Sequence, residues 1–219
     1  MDKILGKKGI VFDLDGTVID SLGVTLEAFN RGFEAAGAPR LDPVEIMQHF
    51  GPGERDIFIK VVGAQKADHA YQVSRKYTDD NLTKVPFFSG MLELIEQLTA
   101  NQIPVAIFTG RGRDTTDLIL NHHNVTHLFT SIITHDEVDF PKPAAEGLLK
   151  SAQAMKLAAH EVIMVGDSWA DIQAAGSAGS LSIAAAWDLL ANEAHLLKQR
   201  PTHLVRSVAE LRTLLNLGE

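Results

Sequence analysis

Asp13 and Asp15 stand two residues apart in the run Val11-Phe12-Asp13-Leu14-Asp15-Gly16-Thr17, at the end of an apolar stretch. Residues i and i+2 of a strand point to the same side, so both carboxylates are expected to face one spot. Two acids that close are costly to ionise together unless a cation sits between them or one keeps its proton. Acids at the carboxyl end of a strand also lie where open α/β sheets bind ligands. A polar turn after the strand, marked by Asp15-Gly16, explains the same residues without chemistry.

Three further groups of residues carry compatible chemistry. Thr109-Gly110-Arg111-Gly112 follows an apolar run and leads into a helical pattern. A hydroxyl and free backbone N–H groups at a helix start suit an anion such as phosphate, aided by the positive end of the helix dipole. A glycine turn capped by Thr109 is the plain alternative. Phe140-Pro141-Lys142-Pro143 holds one lysine between prolines that restrict the backbone and aim the side chain. Without such a context a lysine is an ordinary solvated residue. Gly166-Asp167-Ser168-Trp169-Ala170-Asp171 follows the strand-like Val162 to Val165 and opens a helix, with Asp171 four residues beyond Asp167 on the same face. Capping by Asp167 and a surface position for Asp171 are the plain readings, but capping explains only one of the two acids. With Asp13 and Asp15 they make four carboxylates at neighbouring strand tips. Such oxygen ligands suit a hard cation like Mg²⁺, which keeps several waters and binds substrate phosphate.

Presenting these residues together requires strands that end side by side. Gly9 to Asp13, Ile103 to Phe108, Ser131 to Thr134, Val162 to Val165 and Ser180 to Ala185 read as buried strands. Met91 to Ala100, Asp114 to His122, Ala144 to Met155 and Trp169 to Gly176 read as helices. His203 to Leu217 reads as a short strand, then a helix opened by Ser207 and closed near Gly218. This alternation implies parallel pairing through right-handed crossovers: an α/β fold with a doubly wound, Rossmann-like parallel sheet. Asp20 to Val85 breaks it with helices alone. Leu22, Leu26, Phe29 and Phe33 mark one apolar face, Asp42-Pro43 and Gly51-Pro52-Gly53 open two more helices, and a polar helix runs from about Lys66 to Leu82. The expected division is a core of residues 1–18 and 87–219 and an inserted helical cap of residues 19–86. Such an insert is placed to cover the first strand's tip, and a plain second helical layer fits the same pattern.

Composition narrows the function classes. Hydrophobic residues make up 45% and charged residues 22% of the 219, as in ordinary soluble proteins. No apolar run approaches the roughly 18 residues of a membrane span, and the first residues lack a secretory pattern. No membrane association and a cytoplasmic location are therefore expected. The absence of cysteine removes disulfides, thiolate metal sites and cysteine nucleophiles. A net charge of −8 speaks against a nucleic-acid surface, so any anionic substrate is drawn by local cations or a metal. His49, His69, His122 and His123 are not spaced as a zinc site.

In chain order, Asp13-Leu14-Asp15-Gly16-Thr17, Thr109-Gly110, Lys142-Pro143 and Gly166-Asp167 with Asp171 resemble the motifs of the haloacid-dehalogenase-like superfamily. The likeness spans nearly the whole chain, including the place of that family's small helical cap. It implies that Asp13 is a nucleophile forming an aspartyl-phosphate. Asp15 would protonate the leaving oxygen and then activate water. Thr109, the Gly110 backbone and Lys142 would hold the phosphoryl oxygens. Mg²⁺ would bind through Asp13, the Asp15 backbone carbonyl and Asp167, with Asp171 as a further ligand or support. Asp15 also separates phosphatases from the dehalogenases of this fold, which lack that acid.

The pattern is most similar to the phosphoglycolate phosphatase and pyrophosphatase-like branch, and departs from it where Gly110-Arg111-Gly112-Arg113 replaces the usual Asn-Lys. The expected activity is Mg²⁺-dependent hydrolysis of a small phosphorylated metabolite, phosphoglycolate-like, by a monomer or homodimer. A sugar-phosphate mutase, a pyrophosphatase or nucleotidase, and a non-catalytic regulatory protein are the alternatives. Arg111, and Arg55 on the cap loop, are candidates for a second anionic group of the substrate, because a guanidinium grips carboxylate or phosphate as a fork. Solvated positions for both are the plain reading. Trp169 and Trp187 are expected to pack near the edge of the site.

Overall fold

The computed structural model describes residues 6–51 and 53–217. The expectations placed on the N-terminal five residues, on Pro52 and on Gly218 lie outside the described residues. Six parallel strands form one sheet in the order β3-β2-β1-β4-β5-β6. They are β1 (Gly9–Phe12), β2 (Val105–Phe108), β3 (Ser131–Ile133), β4 (Val162–Gly166), β5 (Leu181–Ala185) and β6 (His203–Val205). The chain builds outward from β1 to β3 on one side and from β4 to β6 on the other. The strand order reverses beside β1, and crevices at such points bind ligands.

The three central strands are apolar throughout because both faces are covered. Alternate side chains serve two layers. Ile10, Phe12, Ile107, Ile163 and Val165 enter one core with Met91, Leu94, Ile95 and Leu98 of α5 (Met91–Ala100). Val11, Phe108 and Met164 enter the other with Leu148 of α7 (Glu146–Ala154) and Ala174 and Ala175 of α8 (Trp169–Ala178). This parity fixes the chemistry that follows. The residue after Phe12 extends the ladder, with the Asp13 N–H donating to the Val165 carbonyl at 2.8 Å. Its side chain therefore points to the α7–α8 side.

The segment between β1 and β2 is helical, as its periodicity predicts. It comprises α1 (Leu22–Ala35), α2 (Pro43–Met47), α3 (Glu54–Val62) and α4 (Ala64–Asp80). Asp42 opens α2 through a reciprocal capping box with Glu45. This block has its own core, in which Phe29, Phe33 and Phe58 pack with ring centroids 5.2–6.0 Å apart. Its entering and leaving strands are joined as a stem. Ile19 bridges Phe87, the Asp20 N–H donates to the Pro86 carbonyl at 2.8 Å, and the Phe88 N–H donates to the Val18 carbonyl at 3.2 Å. The last helices are α6 (Arg113–His122), α9 (Glu193–Lys198) and α10 (Val208–Leu214), the last capped by Ser207 as expected. Among the described residues no helix is long and apolar enough to cross a membrane.

Gly32 and Gly23 of α1 separate intrinsic helix propensity from packing. A Cβ on Gly32 would stand 2.6 Å from the Ala70 carbonyl oxygen and 2.5 Å from the Phe58 ring, whereas one on Gly23 meets nothing within 4 Å. Gly23→Ala should stabilise the protein by up to about 1 kcal/mol. Gly32→Ala should destabilise it by about 1–3 kcal/mol despite the same gain in propensity. Urea unfolding of the two variants provides the comparison.

Candidate active site

The carboxyl ends of β1, β2 and β4 converge on a cavity of about 310 Å³ whose lining includes Asp13, Asp15, Thr109, Gly110, Arg111, Lys142 and Asp167. Beyond Asp13 the chain coils tightly, with the N–H groups of Val18 and Ile19 both donating to the Leu14 carbonyl. Gly16 is required in that coil. Its φ is +75°, and a Cβ there would lie 2.4 Å from Asp167 Oδ2. The coil thereby brings the first acidic motif against the acids that follow β4.

Lys142 organises one half of the site. Its ammonium donates to Asp13 Oδ1 at 2.6 Å and to Asp171 Oδ1 at 2.7 Å, and it lies 5.3 Å from the centre of the Phe108 ring. Burial disfavours its charge, but the Asp13 and Asp171 carboxylates overcome this and hold its pKa well above the ordinary value. Asp171 is neither a surface acid nor an isolated one. It is 1% exposed, and its second oxygen accepts from the Ser168 N–H and hydroxyl. The helix cap is Ser168 rather than Asp167, because its Oγ receives the Asp171 N–H in a reciprocal box. Asp167 is thus released from capping and accepts from the Thr17 hydroxyl at 3.1 Å.

Asp13, Asp167 and Asp171 each offer an oxygen within 4.8 Å of the others. Burial pushes the Asp13 carboxyl up to about 7, with the Asp171 and Asp15 charges adding to the rise and Lys142 opposing it. Burial and the charges of Asp13 and Asp171 likewise raise Asp167 well above its usual range. One ammonium against three carboxylates leaves an excess of negative charge. Among the described residues, Oδ2 of Asp13 and Oδ2 of Asp167 receive no protein hydrogen bond. Two such carboxylate oxygens at the cavity, with that charge excess, fit a hard divalent cation. Asp171 is held by Lys142 and Ser168 through both its oxygens, so it orients this set from behind.

Asp15 takes a separate partner. Arg111 donates to it as a fork, Nε to Oδ2 at 3.0 Å and Nη2 to Oδ1 at 2.6 Å, and the Ser21 hydroxyl donates to it as well. Burial works to raise Asp15, but the Arg111 guanidinium outweighs it and holds the carboxyl below its usual value. The two acids of the first motif therefore share a pocket without sharing one cation, unlike the arrangement strand alternation leads one to expect. Asp15 has already left the strand, which ends at Phe12.

The remaining arms of Arg111 reach the helical block. They meet Glu54 Oε1 at 3.2 Å and the Thr25 hydroxyl at 2.8 Å, and the guanidinium side chain is only 3% exposed. Glu54 also accepts from the Gly112 N–H and the Thr115 hydroxyl, and burial raises its carboxyl despite Arg111. Arg111 is thus buried among the protein's own oxygens rather than solvated. Arg55, the other candidate for a substrate anion, lies outside the cavity. It pairs with Asp68 at 2.9 Å over the Tyr71 ring, is 57% exposed, and is absent from the cavity lining. One step along the first turn of α3 turns Glu54 inward and Arg55 out.

Thr109 is buried, its Oγ accepting the Arg111 N–H at 3.1 Å, beside Gly110 at the cavity. Trp169 stands at the rim, and Trp187 donates its indole N–H to the Thr17 carbonyl at 3.1 Å. Ser21, Thr25 and Glu54 join the site without a local pattern in the sequence that marks them. Ser168, three residues before Asp171, was legible as a capping box.

Residues 10–185 match the haloacid dehalogenase-like hydrolases as a family. The chain belongs to that family. Pyrophosphatase PpaX of Bacillus mycoides is 24% identical over 208 residues, spanning 94% of this chain and 96% of the relative. A solved structure from Haemophilus somnus, described as a predicted phosphoglycolate phosphatase, has a TM-score of 0.85 at 21% identity over 95% of this chain and 98% of that one. A haloacid dehalogenase-like hydrolase from Streptococcus pneumoniae has a TM-score of 0.78 at 25% identity, covering 95% of this chain and 98% of its own. The protein is a phosphatase-type enzyme with the α/β fold of these haloacid dehalogenase-like hydrolases.

The charge excess has a measurable sign. Asp13 titrates near 7 when folded and near 3.9 when unfolded, so between these values the folded chain binds more protons. Its contribution to stability without metal therefore grows as pH falls through that window and is lost above it. Mg²⁺ should raise the melting temperature, by more at pH 8 than at pH 5, and EDTA should reverse the shift. An equal shift at both pH values would count against binding at these acids.

Proposed function

We propose that this haloacid dehalogenase-like hydrolase is a Mg²⁺-dependent phosphomonoesterase working through an aspartyl-phosphate on Asp13. The observation that carries the reading is Lys142 bonded to Asp13 Oδ1 beside Asp167, with Asp15 held separately by Arg111. Lys142 holds the Asp13 carboxylate through Oδ1 and so orients it for attack on phosphorus. It also offers positive charge where the phosphoryl oxygens gather, together with the Thr109 hydroxyl and the Gly110 backbone. The P–O bond to the alcohol breaks as the Asp13–P bond forms, and Asp15 supplies the proton the alkoxide needs. Asp15 then takes a proton from the water that cleaves the acyl phosphate, releasing inorganic phosphate.

The Arg111 fork favours Asp15 as carboxylate, the form that activates water. An arriving phosphate dianion adds negative potential beside it and favours the protonated form required first. Asp13 and Asp167 would hold Mg²⁺, which supplies charge neutralisation between an anionic nucleophile and an anionic substrate. Residues 19–86 serve in this reading as a cap over the reacting centre, tied to it through Glu54 and Thr25.

Asp13→Asn should bring phosphate release below detection while the thermal melt stays cooperative. Asp15→Asn should cost alkyl phosphates about 10²–10⁴-fold in kcat and p-nitrophenyl phosphate much less, since that leaving group needs little protonation. Phosphate release with Mg²⁺ measures both. Activity retained by Asp13→Asn, or equal losses for the two ester classes, would overturn the assigned roles.

A further inference from the structure

Much of the cavity lining is apolar. Leu22 and Phe29 of α1, Met47 of α2 and Phe50 beyond it form the wall on the helical block, and Trp169 and Leu190 also line the cavity. Trp169 and Leu190 are 40% and 41% exposed, large apolar groups left open to solvent where they meet the cavity. Isolated exposed apolar residues need no explanation, but a wall continuous with a reactive centre does.

The cations point the same way. Only Lys142 and Arg111 among the lining residues carry a fixed positive charge. Lys142 serves the phosphoryl group itself in the phosphatase reading, and four of the five N–H donors of Arg111 are taken by Asp15, Glu54 and Thr25. The imidazole of His195 is the other basic group at the lining. A second carboxylate or phosphate on the substrate would meet Glu54 and the apolar wall, with Arg55 turned outward to Asp68. Burying an unpaired charge there is strongly unfavourable.

We propose that the substrate is the phosphate monoester of an apolar primary alcohol, alkyl or arylalkyl, whose hydrocarbon part fills the wall of Leu22, Phe29, Met47 and Phe50. The proposal rests on the phosphatase reading and names its substrate class. A cavity of about 310 Å³ lies at the small end of sites for small molecules, roughly 300–1,000 Å³. Compounds bearing a second anion, such as 2-phosphoglycolate and pyrophosphate, are poor substrates on this account.

The test is phosphate release by the full chain with Mg²⁺ from n-alkyl phosphates, ethyl to octyl, whose alcohols need protonation about equally. 2-Phosphoglycolate, pyrophosphate and p-nitrophenyl phosphate are run beside them. Each added methylene buried should raise kcat/KM about three- to fourfold until the cavity is full. Hexyl phosphate should then exceed 2-phosphoglycolate and pyrophosphate by at least tenfold. A flat or falling alkyl series, or either dianionic competitor outrunning hexyl phosphate, would overturn the proposal while release from p-nitrophenyl phosphate keeps the phosphatase reading. No release from any compound by folded protein would overturn both. Met47→Gln, close in shape but polar, should cut hexyl phosphate turnover several-fold more than ethyl. An equal fall for the two would overturn the role of the wall.

Discussion

Lys142 lies between Asp13 and Asp171 with its side chain 8% exposed, and an ammonium so placed is tolerable only because charged partners meet it at close range. The surrounding chain is arranged to supply them. Strand parity sends Asp13 to the α7–α8 side, Ser168 takes over the cap of α8 so that Asp171 faces the lysine, and Gly16 lets the first loop close on Asp167. Removing any one of these leaves a buried charge without its counterpart, which costs far more than the pair contributes. The remaining imbalance of carboxylates over ammonium is one a dication would offset.

Arg111 is the second such centre, and it couples parts of the chain that local interactions leave independent. Its partners Asp15, Glu54 and Thr25 come from the first loop and from two helices of the inserted block. The same guanidinium sets the protonation bias of Asp15 and seats α1 and α3 above it. A lysine could not reproduce this, since a point charge lacks the planar fork that engages both oxygens of Asp15. Four of the five N–H donors of Arg111 are directed to the protein's own oxygens.

The sheet, its strand limits to within a few residues and the acidic motifs were legible because each is a local pattern. Continuous apolar runs mark strands covered on both faces, and a carboxylate just past such a run marks a strand tip. Ser168 and Asp171 were also local, a capping spacing overlooked in favour of Asp167. Arg111 and Glu54 were not legible as a pair, because their contact spans 57 residues and no periodicity links them. Arg55 and Glu54 are neighbours on one helical turn, and which of them faces inward depends on how α3 is rotated against α1 and α6. The stripe Leu22, Leu26, Phe29 and Phe33 read as a core face. Leu22 and Phe29 instead also line the cavity, a distinction set by what stands opposite them.

The paired stem at Ile19 and Phe87 has a topological consequence. The chain leaves the sheet and returns to it through segments hydrogen-bonded to each other, so an insert of more than sixty residues begins and ends at almost one point. The loop-closure entropy of that insert is met at its neck, and lengthening or replacing the helices changes it only logarithmically. The sheet and its charged tips see a short hairpin whatever hangs beyond it. The charged strand tips and the helical insert are therefore free to change at different rates within one chain.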